Sequence, residues 1–206
     1  MKYFGNKEVF AFAYELKDCP FNVSGKNEPT WGIFQMWVND KSVCTYLRED
    51  QRHEYEWDLI FIVEWLCKNK NNILNESQFP LPSEGNNALE LYYNSGDFDS
   101  DNIDVFDTWF KKRQDWYFKH SWYSNNGGSY LADVLFRRVA DTIEIAWDNT
   151  ELYSEIKYNN PKGIYYIPIK LFQNVVDSFI EDFMLEVSVS EEGMGLIQKL
   201  QELFKE

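Results

Sequence analysis

The sequence predicts an α+β protein built from antiparallel hairpins with packed helices, arranged as two α/β halves that end in a C-terminal helical pair. Three observations support this fold class. Apolar residues alternate at period two in several short stretches, which is typical of strands with one buried face. In other stretches they recur at helical spacing. The strands cluster together instead of alternating with helices, which favours an antiparallel α+β arrangement over a doubly wound one.

The first predicted unit, residues 1–76, consists of strands followed by one helix. Apolar side chains alternate along residues 9–17. Two further β-rich stretches, residues 30–38 and 42–47, flank a turn-forming Asn-Asp-Lys triplet, so we expect them to pair as a hairpin. Residues 57–69 then carry their apolar side chains on one helical stripe, which predicts a helix.

The stretch from 77 to 100 interrupts both periodicities. It is rich in Pro, Gly and Asn, which break regular structure, apart from a short element predicted at 88–93. We therefore expect a connecting loop here, followed by a second unit in residues 101–206. The alternative is one continuous domain.

The second unit opens with a helix predicted at 102–119, for which Ser100 or Asp101 is the expected N-cap. Strands are predicted at 134–139 and 142–147, because apolar and β-branched residues alternate there. The side chains along the stripe of the helix are Ile103, Phe106, Trp109, Phe110, Arg113, Trp116 and Tyr117.

The chain ends in a pair of helices. A third strand is predicted at 164–167, and Pro168 then occupies the first turn of a helix, where proline is tolerated. Ser190 is the expected N-cap of the last helix, because two glutamates follow it in the first turn.

Charge and aromatic content limit the function classes. The chain carries 34 Asp and Glu against 20 Lys and Arg, a net charge of −14. A field of this sign repels phosphate backbones, so we expect no direct binding to duplex DNA. It suits a basic protein partner or a surface that imitates nucleic acid, and it also serves solubility alone. Aromatic residues make up 18% of the chain, and a surplus of them on the surface would mark an interface.

The compartment follows from what the sequence lacks. No apolar run approaches the length of a membrane span, and the first residues show no signal-peptide pattern. Cys19, Cys44 and Cys67 are odd in number and widely spaced, which disfavours a disulfide framework. We therefore expect a cytoplasmic protein without a membrane partner.

Two metal-binding patterns are incomplete. A zinc peptidase helix needs two histidines one turn apart with a glutamate between them, but Trp57 stands where the second histidine should follow His53. Asp97, Asp99 and Asp101 are similar to the start of a calcium loop, but the loop's glycine and its final glutamate are missing. We therefore expect no metal and no other cofactor.

A divergent metal-dependent nuclease is the enzymatic alternative. Asp133 and Glu144 lie on consecutive predicted strands, as a pair of metal-binding carboxylates would. Ala146 stands where such a site would carry a lysine, which weighs against this alternative. Glu144 also has a structural interpretation, as the outward residue between the inward Ile143 and Ile145.

The most distinctive segment spans residues 120–147. It combines His120, a Gly127-Gly128 turn, a Phe-Arg-Arg strand at 136–138 and Glu-Ile-Ala-Trp at 144–147. This segment resembles one in uncharacterised bacterial proteins, some of them joined to or encoded near ImmA/IrrE-type metallopeptidases. In that pattern the motifs run Arg-His, Gly-Gly, Pro-Asp, Phe-Arg-Arg and Glu-Ile-Ser-Trp.

This chain departs from the pattern at three positions. Lys119, Ala132 and Ala146 replace the Arg, Pro and Ser, and the zinc motif of the peptidase is absent. The resemblance implies no defined activity. It implies a bacterial context related to phage defence or toxin immunity, with a sensing or binding role.

These features together predict a non-enzymatic acidic protein that binds a macromolecular partner. The protein would be an immunity protein, an inhibitor or a sensor module, and its partner a basic toxin, an effector or a peptidase. The alternatives are the nuclease and a DNA-mimic inhibitor. The expected contact residues are Trp109, Trp116, His120, Trp122, Tyr123, Arg137, Arg138 and Glu144.

One part of the predicted site is more specific. Strand alternation points either Arg137 or Arg138 inward, where a charge requires a carboxylate partner. We expect this arginine to join an acid and His120 in a polar pocket, with walls formed by Trp116, Trp122 and Trp147. The alternative is that the segment only maintains the fold.

Overall fold

The computed structural model describes residues 1–21, 28–122, 124–126 and 129–204. Antiparallel sheets and five α-helices make it an α+β fold, as the sequence predicts. The larger sheet has seven strands. Their order is β1 (Lys2–Asn6), β2 (Phe10–Leu16), β3 (Trp31–Val38), β6 (Gln51–Asp58), β5 (Thr45–Arg48) and β11 (Lys157–Tyr158), and the short β4 (Lys41–Ser42) pairs with β3.

The hairpin predicted from residues 30–38 and 42–47 has a different pairing. β4 pairs with β3 over only two residues, and β5 then pairs with β6 instead. Asn39 and Asp40 adopt φ angles of 50° and 61°, which close a tight two-residue turn between β3 and β4. A second turn with two positive φ angles joins β5 to β6, so the chain forms two successive hairpins where one was expected.

The second sheet contains the three strands predicted for the C-terminal half. Its order is β12 (Lys162–Pro168), β10 (Thr142–Asp148) and β9 (Leu135–Val139). A separate two-stranded sheet consists of β7 (Ser124–Asn126) and β8 (Ser129–Leu131). Tyr123 and the predicted Gly127-Gly128 turn lie outside the described residues.

The α-helices are α1 (Ile60–Asn75), α2 (Ala88–Asn94), α3 (Ile103–His120), α4 (Ile169–Val187) and α5 (Glu191–Phe204), with short 3-10 helices at Glu28–Thr30 and Ser95–Asp97. The side chain of Asn102 accepts hydrogen bonds from the backbone N–H groups of Asp104 and Val105 at 3.0 and 3.3 Å. Asn102 is therefore the N-cap of α3, not Ser100 or Asp101. None of the described helices is long and apolar enough to span a membrane.

One apolar core joins the two predicted units. Phe12 of β2 contacts the rings of Trp122 and Phe179 at centroid distances of 5.6 and 5.4 Å. A smaller cluster contains Ala88, Trp116, Leu135 and Ala146. The strand residues of this second cluster alternate with those of the main core, so it lies on the opposite face of the three-stranded sheet, under α2 and α3.

Candidate functional site

The charged pair of Arg137 and Glu144 occupies the centre of the predicted site. The two residues are direct cross-strand partners on β9 and β10. Nε and Nη2 of Arg137 donate to Oε2 of Glu144 at 2.9 and 2.5 Å. Glu144 is fully buried and the Arg137 side chain is 12% exposed. Arg137 is therefore the arginine that lies beside a buried acid.

Glu144 also links this pair to the start of α2. Its second oxygen, Oε1, accepts from the backbone N–H of Ala88 at 2.6 Å. A helix leaves the N–H groups of its first turn without helical partners, so this contact satisfies one of them. Both oxygens of Glu144 are thus bound to protein donors, and the side chain connects β9, β10 and α2.

His120 and Trp116 stack on each other with ring centroids 4.5 Å apart. Trp116 belongs to the smaller apolar cluster. His120 is fully buried and Trp116 is 3% exposed. Nδ1 of His120 donates to the carbonyl oxygen of Trp116 at 2.8 Å. Burial is the main cause that lowers the pKa of His120, although Glu76 lies 4.0 Å from Nε2 and acts in the opposite direction. The ring is therefore a neutral interior group.

The other predicted contacts are dispersed. Trp122 and Trp147 are 4% and 0% exposed and belong to the main core, whereas Trp116 belongs to the smaller cluster. The three rings therefore do not form the walls of one pocket. Arg138 donates from Nη1 to the carbonyl oxygen of Leu74 at 3.0 Å and so binds the C-terminal end of α1.

Asp133, the second carboxylate of the nuclease alternative, is also bound by protein donors. The Tyr117 hydroxyl donates to Oδ2 at 2.5 Å, and the Ser121 hydroxyl donates to Oδ1. Burial raises the pKa of Asp133, and the two hydroxyl donors oppose that rise. Over the described ranges, no group of three or more His, Cys, Asp or Glu side chains could hold a metal ion.

The N-terminal half of α3 is unusually exposed. Only two of the 18 residues of this helix are buried, both near its C-terminal end. Ile103 and Val105 are 66% and 47% exposed. Phe106 and Phe110 are half-buried and contact each other at a centroid distance of 4.6 Å. The amphipathic stripe of the sequence therefore continues beyond the core and into solvent.

Trp109 fixes this half of α3 to the loop before it. Its ring stacks on Phe98 at a centroid distance of 4.0 Å, and its Nε1 donates to the carbonyl oxygen of Ser95 at 2.7 Å. Of the predicted contact residues that the structure describes, Trp109 is the one in this exposed half of α3.

The same segment of the chain is acidic. No Lys or Arg occurs in residues 97–110. Within the described part of the chain, none of the acids in this stretch forms an ion pair. We call residues 97–110 the acidic α3 face. Its exposed carboxylates belong to Asp97, Asp99, Asp101, Asp104 and Asp107.

A groove on the larger sheet was not predicted. Its volume is about 500 Å³, and its lining includes the rings of Phe21, Trp31 and Trp57 and the carboxylates of Glu54 and Glu56. Glu54, Glu56 and Trp57 lie on β6, which the sequence did not predict as a strand. Strand alternation along 51–58 would have been the signal, since it places the two glutamates on one face.

Comparisons with family models, with curated proteins and with solved structures found no match for this chain.

Proposed function

We propose that the protein functions by binding a basic macromolecular partner, and that the acidic α3 face is its docking surface. The observation that carries the proposal is the coincidence of exposed apolar side chains with unpaired carboxylates. Ile103, at 66% exposure, lies next in sequence to Asn102 and Asp104, within a stretch without a basic residue. Exposed apolar side chains with a charged rim are typical of protein interaction sites.

The two kinds of side chain would contribute differently to binding. Burial of Ile103, Val105 and the half-exposed rings would supply most of the affinity, since the gain scales with the apolar area removed from water. The carboxylates would attract a basic partner and speed its association, an effect that added salt weakens. The net charge of −14 acts in the same direction over a longer range.

The partner class follows from charge together with the resemblance of residues 120–147. A bacterial immunity protein, inhibitor or sensor of a phage-defence or toxin–antitoxin-like system would meet a basic toxin, effector or peptidase. A DNA-binding protein is a further basic partner, and its capture would correspond to the DNA-mimic alternative.

Affinity capture with charge-reversed baits tests this proposal. The Asp101→Lys/Asp107→Lys variant changes two exposed carboxylates of the acidic α3 face. The control, Glu8→Lys/Glu181→Lys, makes the same change in net charge at two exposed positions elsewhere. We expect the wild-type protein and the control to retain the same basic protein, and the α3 variant to lose it. Equal retention by all three baits would contradict the proposal.

A further inference from the structure

The groove on the larger sheet has aromatic and acidic sides. The rings of Trp31 and Trp57 lie 5.1 Å apart between their centroids, and Phe21 packs edge-on against Trp31 at 5.4 Å. Trp31 is 5% exposed and thus fixed, whereas Phe21 is 55% exposed. Glu54 and Glu56 project from β6 into the same space. The groove therefore offers flat apolar surface beside carboxylate oxygens.

The two carboxylates have different partners. Glu56 accepts from Trp31 Nε1 at 3.1 Å with one oxygen, and its other oxygen lies 3.2 Å from Lys17 Nζ. Glu54 accepts from the neutral side-chain amide of Gln35. In the described part of the chain, no cation forms an ion pair with Glu54.

Glu54 is also less accessible than a surface acid. It is half-buried in the groove wall, where water screens its charge less than at an exposed site. Arg52, which also lines the groove, is exposed and forms no ion pair over the described ranges. Among the described residues, Glu54 is therefore the carboxylate of this groove that is bound by a neutral donor and not by a cation.

We infer that this groove receives an arginine side chain of the partner protein, with its guanidinium on Glu54 and its stem against the Trp57 and Phe21 rings. Arginine fits better than lysine, because a planar guanidinium both stacks on aromatic rings and donates two parallel hydrogen bonds to a carboxylate. Aromatic faces also attract cations directly. The inference rests on the proposed function for the source of the arginine and extends it to a second, separate contact.

Short peptides test this inference without the partner. The probes are acetyl-Gly-Arg-Gly-amide and its counterpart with Gln in place of Arg. The indole N–H signals of Trp31 and Trp57, assigned by Trp→Phe variants in protein labelled with ¹⁵N at tryptophan, report binding by NMR. We expect the arginine peptide to shift these signals saturably, with a dissociation constant on the order of millimolar, and the glutamine peptide to leave them unchanged.

Glu54→Gln is the decisive variant, because a glutamine oxygen can still accept from Gln35 while the charge is removed. We expect this substitution to weaken binding of the arginine peptide at least about tenfold, because a charged hydrogen-bond partner is lost. Glu64→Gln, on α1 and paired with Lys68, is the matched control and should change nothing. Absence of a saturable shift, an equal response to the glutamine peptide, or equal binding by the Glu54 variant would each overturn the inference. Equal capture by all three baits, with saturable binding of the arginine peptide intact, would contradict the acidic α3 face as the docking surface and leave the assignment of the groove standing.

Discussion

His120 stacks on Trp116 with ring centroids 4.5 Å apart and donates from Nδ1 to the Trp116 carbonyl oxygen. Burial lowers the pKa of His120 below its ordinary 6.5. As the pH falls, His120 therefore becomes protonated in the unfolded chain before it does so in the folded protein. The unfolding free energy should therefore fall as the pH drops below about 6.5. Lys119 and Arg137 also disfavour protonation, and Glu76 favours it.

His120→Phe should remove this part of the pH dependence, since phenylalanine can keep the stacking but does not titrate. We expect the stability difference between wild type and variant to change between pH 7 and 5, as measured by urea unfolding. A difference that stays constant over this range would show that His120 is not the group responsible.

Arg137→Ala should strongly destabilise the protein. The substitution leaves the fully buried Glu144 without its cation, which typically costs about 3–5 kcal/mol of unfolding free energy. Chemical denaturation followed by circular dichroism measures the loss. The double variant Arg137→Met/Glu144→Gln removes both charges and keeps an acceptor for the Ala88 N–H, so it should recover most of the stability. A double variant as unstable as Arg137→Ala would contradict this explanation.

Metal removal should leave the fold unchanged. The chain has only two histidines, His53 and His120, and its three cysteines are widely separated in sequence. Structural metal sites contribute folding free energy directly, so their loss lowers the melting temperature. We expect thermal melts with and without EDTA to superimpose, and a decrease of several degrees in EDTA would reveal a structural ion.

Ile103→Ala/Val105→Ala should separate binding from stability. Because both side chains are largely exposed, the double variant should change the unfolding free energy by only about 0.5 kcal/mol. Ile143→Ala, at a fully buried position, should cost about 2–5 kcal/mol. The Ile103→Ala/Val105→Ala variant should nevertheless lose the captured partner, and a folded double variant with normal capture would count against the acidic α3 face.

Regular alternation made parts of the fold predictable. β10, predicted at 142–147, is observed at Thr142–Asp148, because its apolar and polar residues alternate between two packed faces. β6 was missed, because most of its side chains are polar and only Tyr55 is buried. The pairing of β5 with β6 depends on a turn with positive φ at Glu49 and Asp50, residues that do not mark it unambiguously in sequence.

The site was less predictable than the fold. Alternation alone left Glu144 as either an outward residue or a buried acid. Its burial depends on α2, a short helix inside a stretch predicted mainly as loop, which covers this face of the sheet. The stripe of α3 likewise gave no sign of where the core ends, so the exposure of Ile103 emerged only from the tertiary structure.

Site-specific photo-cross-linking tests the acidic α3 face most directly. A benzophenone amino acid would replace Ile103 in the full chain, expressed in its native cell, and in a control chain it would replace Leu185. Leu185 is 72% exposed on α4 and is thus an equally accessible apolar position away from α3. We predict a covalent adduct with a basic protein from position 103 and none from position 185. Adducts from position 185 alone, or no adduct from position 103, would contradict the central claim.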